Sequence, residues 1–297
     1  NSFVFRIFND VFISFLMSLK VMKIVKHSGD IVEYDSEKLK KSLIKSGAHL
    51  DVVENILKTI EKEVYQGIST KQIYKRAFAL LKKSANAHAA RYNLREALRM
   101  LGPAGFFFEK YISRVFSFDK YETKTNLILQ GKCVSHEIDV LIKKNDILSI
   151  VECKFHGGRD ATTDVKVPMY ILSRFNDLKV TSHLIFGKKE AVSECWIVTN
   201  NRFSSDAIVF SKCSGLHLLS WDYPPNNNLK TKNDSNFLYP VTCLTTLTMF
   251  EKEKLLILDI ILVRELINNS ASLEKIGIST NRIKNVLKEV SDLCKYI

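Results

Sequence analysis

Glu152 and Lys154 stand two residues apart in Ile147-Leu-Ser-Ile-Val-Glu-Cys-Lys-Phe155, a stretch that otherwise reads as an apolar strand. Strand side chains alternate between faces, so the carboxylate and the ammonium project to one side. Charged residues are seldom fully buried unless paired, so this couple needs either a partner or a function. Upstream, Glu137-Ile-Asp-Val-Leu-Ile142 reads as a second apolar strand carrying Asp139, and Lys143-Lys-Asn-Asp146 between them as a polar hairpin turn. A loop with an even number of residues, centred on Lys144 and Asn145, sets Leu141 opposite Leu148 and Asp139 opposite Ile150. Asp139 and Glu152 then become diagonal neighbours on one face, about 7–8 Å apart. An odd loop turns Asp139 to the other face. Two carboxylates at that separation can hold one divalent cation, since Mg²⁺ takes just one or two carboxylates beside water and phosphate. Lys154 could then orient or help deprotonate a water for attack on a phosphodiester. The alternative is an ion pair of Lys154 with Glu152 or Asp139 that does no chemistry.

A third carboxylate comes from Pro103-Ala-Gly-Phe-Phe-Phe-Glu-Lys-Tyr-Ile-Ser-Arg-Val-Phe116, which reads as a helix with Pro near its first turn. Phe108, Tyr111, Ile112 and Val115 form its core stripe at helical spacing. Glu109 falls on the edge of that stripe, away from the polar side of Lys110 and Arg114, and is expected to point at the same site; the alternative is a surface acid.

The order Glu109, Asp139, Glu152-Cys-Lys154, on helix, strand and strand, resembles the PD-(D/E)XK nuclease fold, close to Mrr-like (type IV) restriction endonucleases. The segment Cys195-Trp-Ile-Val-Thr-Asn-Asn-Arg-Phe-Ser-Ser-Asp-Ala207 is similar to that group's strand ending in Thr-Asn and the helix after it, and Gly215-Leu-His-Leu-Leu-Ser-Trp221 fits the closing strand. The resemblance covers residues 103–223 and implies a central α/β restriction-endonuclease-like fold with a mixed sheet. It also implies Asp139 and Glu152 as metal ligands, Lys154 and Glu109 as further catalytic residues, Mg²⁺ as cofactor and double-stranded DNA as substrate. Many Mrr-like members carry Gln where this chain has Glu152.

His136 and His156 flank the candidate site, although a lone His near a strand end is more often hydrogen-bonded or solvated. His156-Gly-Gly-Arg-Asp160 is a basic loop placed to approach a phosphate backbone, or equally an ordinary strand exit. From Asp164 to Leu178, Val165, Val167, Tyr170, Ile171 and Phe175 predict a helix packed on the sheet, with Lys166, Arg174 and Lys179 free to face DNA.

The N-terminal third has a different pattern. Met22-Lys-Ile-Val-Lys-His-Ser-Gly-Asp-Ile-Val-Glu-Tyr34 alternates around a Ser-Gly-Asp turn and reads as a hairpin. Helices follow from Asp35 or Ser36 to Ile44, over residues 51–65, after a cap at Ser69 or Thr70, and over residues 85–101. Val25-Lys-His-Ser-Gly-Asp30, Tyr34-Asp35, Lys38-Leu39, Gly67-Ile-Ser-Thr-Lys-Gln-Ile73 and Ala89-Ala-Arg-Tyr92 together resemble the ATP-cone domain, the nucleotide-sensing module found at the front of ribonucleotide reductases. The resemblance covers residues 22–101. It implies a β-hairpin plus four helices that bind ATP or dATP, with Lys26 and Lys38 at the phosphates and Thr70 at the purine. The residues by themselves also suit a helical scaffold whose lysines are solvated or touch DNA.

Pro224 to Asn236 is polar and aperiodic, and residues 224–240 are expected to form a linker. Beyond it, residues 241–297 read as a helical segment, with one long helix over residues 251–266 and then a helix, turn and helix from Leu273 to Leu287. The Ile276-Gly-Ile-Ser279 turn resembles a helix-hairpin-helix, which offers backbone amides to phosphates; packing or homodimerisation is an equal reading.

Composition agrees. The 297 residues suffice for two or three domains, and 46% hydrophobic content suffices for folded cores. A net charge of +12 favours a polyanionic partner, DNA or RNA alike. Six cysteines without a CxxC pair suit a reduced, cytoplasmic chain and argue against zinc. Asn1 to Leu19 is apolar but carries Arg6 and Asp10 and lacks the basic start of a signal peptide, so residues 1–21 are expected to be a poorly structured extension, with no membrane span. The sequence as a whole is read as an Mg²⁺-dependent DNA endonuclease of restriction or defence type with a nucleotide-sensing front domain. The alternatives are a nucleotide-responsive DNA-binding regulator with an inactive nuclease fold, and a nuclease acting on RNA.

Overall fold

The computed structural model describes residues 22–102, 105–158 and 161–295. The expected N-terminal extension lies outside the described residues, as do Pro103, Arg159 and Asp160. The chain divides into two compact units between Ser84 and Ala85.

In the first unit, strands β1 (Lys23–Val25) and β2 (Ile31–Glu33) pair antiparallel across a turn in which Gly29 adopts φ +90°, a conformation open to glycine without strain. Helix α1 (Ser36–Lys45) is capped by Asp35, whose carboxylate accepts the N–H groups of Glu37 and Lys38. Helix α2 (Leu50–Glu63) buries Val53, Ile56, Leu57 and Ile60, and helix α3 (Thr70–Ser84) buries Ile73, Ala77 and Leu81. Of the two candidate caps for α3, Ser69 is the one: its hydroxyl accepts the Gln72 N–H while Gln72 Oε1 accepts the Ser69 N–H.

The helix expected over residues 85–101 is two short helices, α4 (Asn86–Tyr92) and α5 (Leu94–Arg99), and both belong to the second unit. Ala90, Leu94, Ala97, Leu98 and Leu101 pack in one core with Phe108, Tyr111 and Leu244, which is why the first unit ends at Ser84.

The second unit is built on a five-stranded mixed sheet. Its members are β3 (Glu122–Gln130), β4 (Ser135–Lys144), β5 (Ile147–Lys154), β9 (Glu194–Thr199) and β11 (His217–Leu219), in spatial order β11-β9-β5-β4-β3. The first three pair antiparallel as a meander, while β5, β9 and β11 run parallel. Short pairs β6 (Thr162–Thr163) with β10 (Arg202–Phe203), and β7 (Ser182–Ile185) with β8 (Lys188–Ala191), stand outside it. Helix α6 (Phe106–Phe118) covers one face, with Phe108, Ile112 and Val115 against Val140, Ile142 and Val151. Helices α7 (Lys166–Leu178) and α8 (Ser205–Cys213) cover the other, where Ile171, Leu178 and Ala207 meet Leu141, Leu148 and Ile150. The neighbouring parities of β5 thus feed two cores. Tyr170, expected inside, is 62% exposed.

Two expectations for the C-terminal part are corrected. Residues 224–240 do not form a linker: they contain helix α9 (Leu229–Asn236), started by Asn228, whose side chain accepts the Thr231 N–H. Leu229 and Asn233, one turn apart, are both fully buried, and that sparse inward pattern is what hides the helix in a polar sequence. The long helix over residues 251–266 is α10 (Met249–Ile257) and α11 (Glu265–Asn268), interrupted by Asp259 at φ 62° and by a buried extended piece in which Leu262 bridges Pro240. Helices α12 (Ala271–Lys275) and α13 (Thr280–Leu293) flank Gly277 at φ +90°. These helices share the α6-side core of the sheet instead of forming a detached segment.

Candidate active site

The β4–β5 connection decides whether Asp139 and Glu152 can cooperate. The loop is the two residues Asn145 and Asp146, at φ 50° and 60°, and Lys144 pairs with Ile147. Two positive φ values at the loop residues match the twist of a tight hairpin, and Asn and Asp tolerate them better than other non-glycine residues. The loop length is even, as the site requires, but its centre is one residue later than expected. Leu141 therefore faces Ile150, and Asp139 lies one step beyond the last pair, Val140 with Val151, level with Glu152 instead of diagonal to it. At that step the ladder gives way to a side chain: Asp139 Oδ2 accepts the Cys153 N–H at 2.7 Å. On its other side, the β3 pairs Thr125 with Val140 and Leu127 with Ile138 flank a gap at Asn126, which adopts φ 54°.

Glu152 and Lys154 share the parity of Leu148 and Ile150 and so face α7. From that helix Arg174 reaches in. Its Nη1 lies 2.6 Å from Glu152 Oε2, and its Nη2 donates to the Glu137 carbonyl. Arg174 was expected to face DNA; the structure turns it inward, because position 174 lies three residues after buried Ile171 and borders the inward stripe of α7.

Glu109 enters from α6, whose first turn approaches the carboxyl end of β5. Phe108 and Phe155 have ring centroids 5.8 Å apart, and Gly105 leaves room for the Glu109 carboxylate, which a Cβ there would meet at 3.4 Å. Burial, reinforced by the charges of Asp139, Glu137 and Glu152, pushes Glu109 up to about 7. Burial and then Asp139 push Glu152 up to about 7 against the opposing pull of Arg174 and Lys154. Asp139 is also raised, by burial, while the Cys153 N–H holds it down in part. The three carboxylates expected to converge therefore share one electrostatic neighbourhood. Cys153, half-buried and surrounded by the same acids, has its thiol pushed well up by desolvation and is a poor nucleophile.

The strand exit after Lys154 is held by residues whose role the sequence did not reveal. Buried Asn200 accepts the His156 N–H and donates to the His156 carbonyl, and buried Asn201 donates to the Gly158 carbonyl while accepting from Arg95. His156 Nε2 lies 2.8 Å from Thr163 Oγ1, and burial, helped by the Lys154 charge, lowers its pKa. His136 is likewise engaged, 2.8 Å from Asp177 on α7. The Thr199-Asn-Asn201 run was the available signal: two polar amides directly after an apolar strand.

Asp139 and Glu152 fit a hard divalent cation. Their donors are carboxylate oxygens level across two strands, and their mutual repulsion in a half-buried setting calls for positive charge. Among the described residues no group of three or more His, Cys, Asp or Glu is arranged around a metal position, whereas one or two carboxylates beside water and phosphate suffice for Mg²⁺.

In the first unit, Val25 bridges Ser69 in parallel, so Lys26 and Thr70 each directly follow a bridged residue, Thr70 as the first residue of α3. Lys38 sits in the first turn of α1, 3.3 Å from Asp35.

The family described as AF1548-like, C-terminal, matches residues 239–294, the stretch from the end of α9 through α13. An uncharacterized protein of Archaeoglobus fulgidus is 31% identical over 182 residues, which span 60% of this chain and 97% of that relative. The chain belongs to the AF1548-like family. The crystal structure of AF1548, a protein of unknown function, superimposes with a TM-score of 0.53 at 29% identity, covering 64% of this chain and 97% of that one. A Vibrio cholerae protein, VC1899, matches at 18% identity and a TM-score of 0.27 over 43% of this chain and 30% of its own, too little to argue from. Among the described residues no helix is long and apolar enough to cross a membrane.

Proposed function

We propose that the second unit is a PD-(D/E)XK-type endonuclease that hydrolyses phosphodiester bonds in double-stranded DNA with Mg²⁺, as a restriction or defence enzyme. One observation carries this reading: the two-residue hairpin sets Asp139 level with Glu152, in the shared field of Glu109, with Lys154 two residues along the strand. Asp139 and Glu152 would hold the cation, which when bound polarises a phosphoryl oxygen and acidifies water. Lys154 orients the attacking water and meets charge that builds on the phosphate. Glu109, kept close to half-protonated near neutrality, can accept or return a proton at the edge of the site. Asn200 and Asn201 hold the loop from His156 to Gly158 beside the lysine, on the side from which a backbone phosphate would approach. The net charge of +12 supports a polyanionic substrate.

Plasmid incubated with the purified full chain and Mg²⁺ is expected to be nicked or linearised, whereas E152A is expected to bind DNA without cutting it. Cleavage retained by E152A would sink the assignment. Binding without cleavage by the native chain would instead favour a DNA-binding regulator, and cleavage confined to an RNA substrate a ribonuclease.

The first unit is the proposed nucleotide sensor. The parallel bridge between Val25 and Ser69, the residues just before Lys26 and Thr70, supports ATP or dATP binding there, with Lys38 as a further phosphate contact. Calorimetric titration of the full chain with ATP and dATP tests it, and K26A should abolish the heat if the reading holds.

A further inference from the structure

Arg174 is tied to both strands of the candidate metal site. One guanidinium nitrogen lies 2.6 Å from Glu152 Oε2, and the other donates to the carbonyl of Glu137, two residues before Asp139. The side chain is only 14% exposed and its guanidinium lies 5.7 Å from the ring centroid of Tyr170, so the cation is seated, not wandering. It occupies an oxygen that a metal would need, and it supplies the positive charge for which the carboxylates compete.

We infer that Arg174 is the resident counter-cation of this site: a divalent ion displaces it from Glu152, and the released guanidinium turns to the phosphate of the substrate. This rests on the endonuclease reading. The exchange conserves interactions on each side. Glu152 trades a guanidinium for a metal, and the guanidinium trades a carboxylate for a phosphate, which matches the same planar fork of donors. It follows that metal and DNA binding are coupled through one residue, and coupling of binding free energies is reciprocal. A purely structural tie between α7 and the sheet would lower stability when broken, but would leave metal affinity alone.

Calcium, which takes the same oxygen ligands, is the probe, titrated calorimetrically into the full chain. R174Q is expected to bind Ca²⁺ on the order of tenfold more tightly than the native chain when DNA is absent. The same variant should bind a short duplex as well as the native chain does without Ca²⁺, and several-fold more weakly with it, because only then is the guanidinium free to reach phosphate. Equal Ca²⁺ affinity for R174Q and the native chain overturns the inference. Should R174Q fail to fold, the native chain still answers: Ca²⁺ should move the Arg174 guanidinium signal in a nuclear magnetic resonance titration, and an unmoved signal at saturating Ca²⁺ refutes displacement. E152Q separates the two levels of argument. If it binds Ca²⁺ as the native chain does, the metal site itself is misassigned and the inference falls with it.

Discussion

Asn200 grips His156 by both main-chain atoms, accepting its N–H and donating to its carbonyl, each at 2.8 Å. Lys154 pairs with Thr199 at the last rung of the parallel β5–β9 ladder, so the Asn200 amide continues that ladder with a side chain where the backbone stops. Alanine at 200 leaves the half-buried N–H and carbonyl of His156 without their partner. N200A is expected to lose about 1–3 kcal/mol in urea denaturation. It should also slow cleavage, because the loop after Lys154 loses its anchor. An unchanged urea midpoint would show that the grip contributes nothing.

Stability should depend on pH through Glu109 and Glu152, both pushed up to about 7 from an ordinary 4.5. A raised folded-state value means that the native protein keeps protons the unfolded chain has released. Their contribution is full below about 4.5 and is lost as the pH rises through about 7. The metal-free native chain should therefore show a Tm that falls over that window, and E152Q should flatten the fall. Millimolar Mg²⁺ should raise Tm more above about pH 7 than below it, because the ligands must be deprotonated to bind. A parallel pH profile for E152Q and the native chain would count against the paired acids.

Asp177 behaves in the opposite sense. The hydrogen bond from His136, and then the N–H groups of Cys133 and Val134, hold it down to about 2. Its contribution is present above about 3.8 and is lost as the pH falls through about 2, so D177N should weaken the protein at neutral pH and leave it little changed in strong acid. Gly131 lies against the same carboxylate. A Cβ there would collide with Asp177 Oδ2 and meet the Val134 carbonyl at 2.8 Å. G131A is expected to cost about 1–3 kcal/mol, read by thermal denaturation, because backbone on one side and a fixed carboxylate on the other leave no room to yield.

Within residues 239–294, Glu289 on α13 is buried and accepts four hydrogen bonds, from the N–H and hydroxyl of Thr245 and of Thr246. Glutamine there would turn a donor toward groups that already donate. E289Q is expected to lose about 2–3 kcal/mol, measured by denaturant titration, without altering DNA binding. A loss below about 0.5 kcal/mol would show that the threonines find water instead.

Local rules carried much of the fold. Alternation made β4 and β5 legible, with Glu152 and Lys154 on one face, and helical spacing placed Phe108, Tyr111, Ile112 and Val115 inside. Asp35 and Ser69 announced their helices because caps act over three residues of chain. The candidate acids Glu109, Asp139 and Glu152 could be named from the sequence because charge in an apolar stretch is conspicuous. Sequence could not set the hairpin register: an even loop centred on Lys144 and Asn145, or on Asn145 and Asp146, preserves the same alternation, and only the strand pairing decides that Asp139 stands level with Glu152. The partners of the site were equally out of reach. Arg174 lies 22 residues from Glu152, and Asn200 lies 44 from His156. A lone Arg on a helix edge, or an Asn after a strand, reads the same whether it faces water or a buried carboxylate. The helix of residues 229–236 shows the same limit, since Leu229 and Asn233 are its buried residues and the core that receives them comes from distant chain.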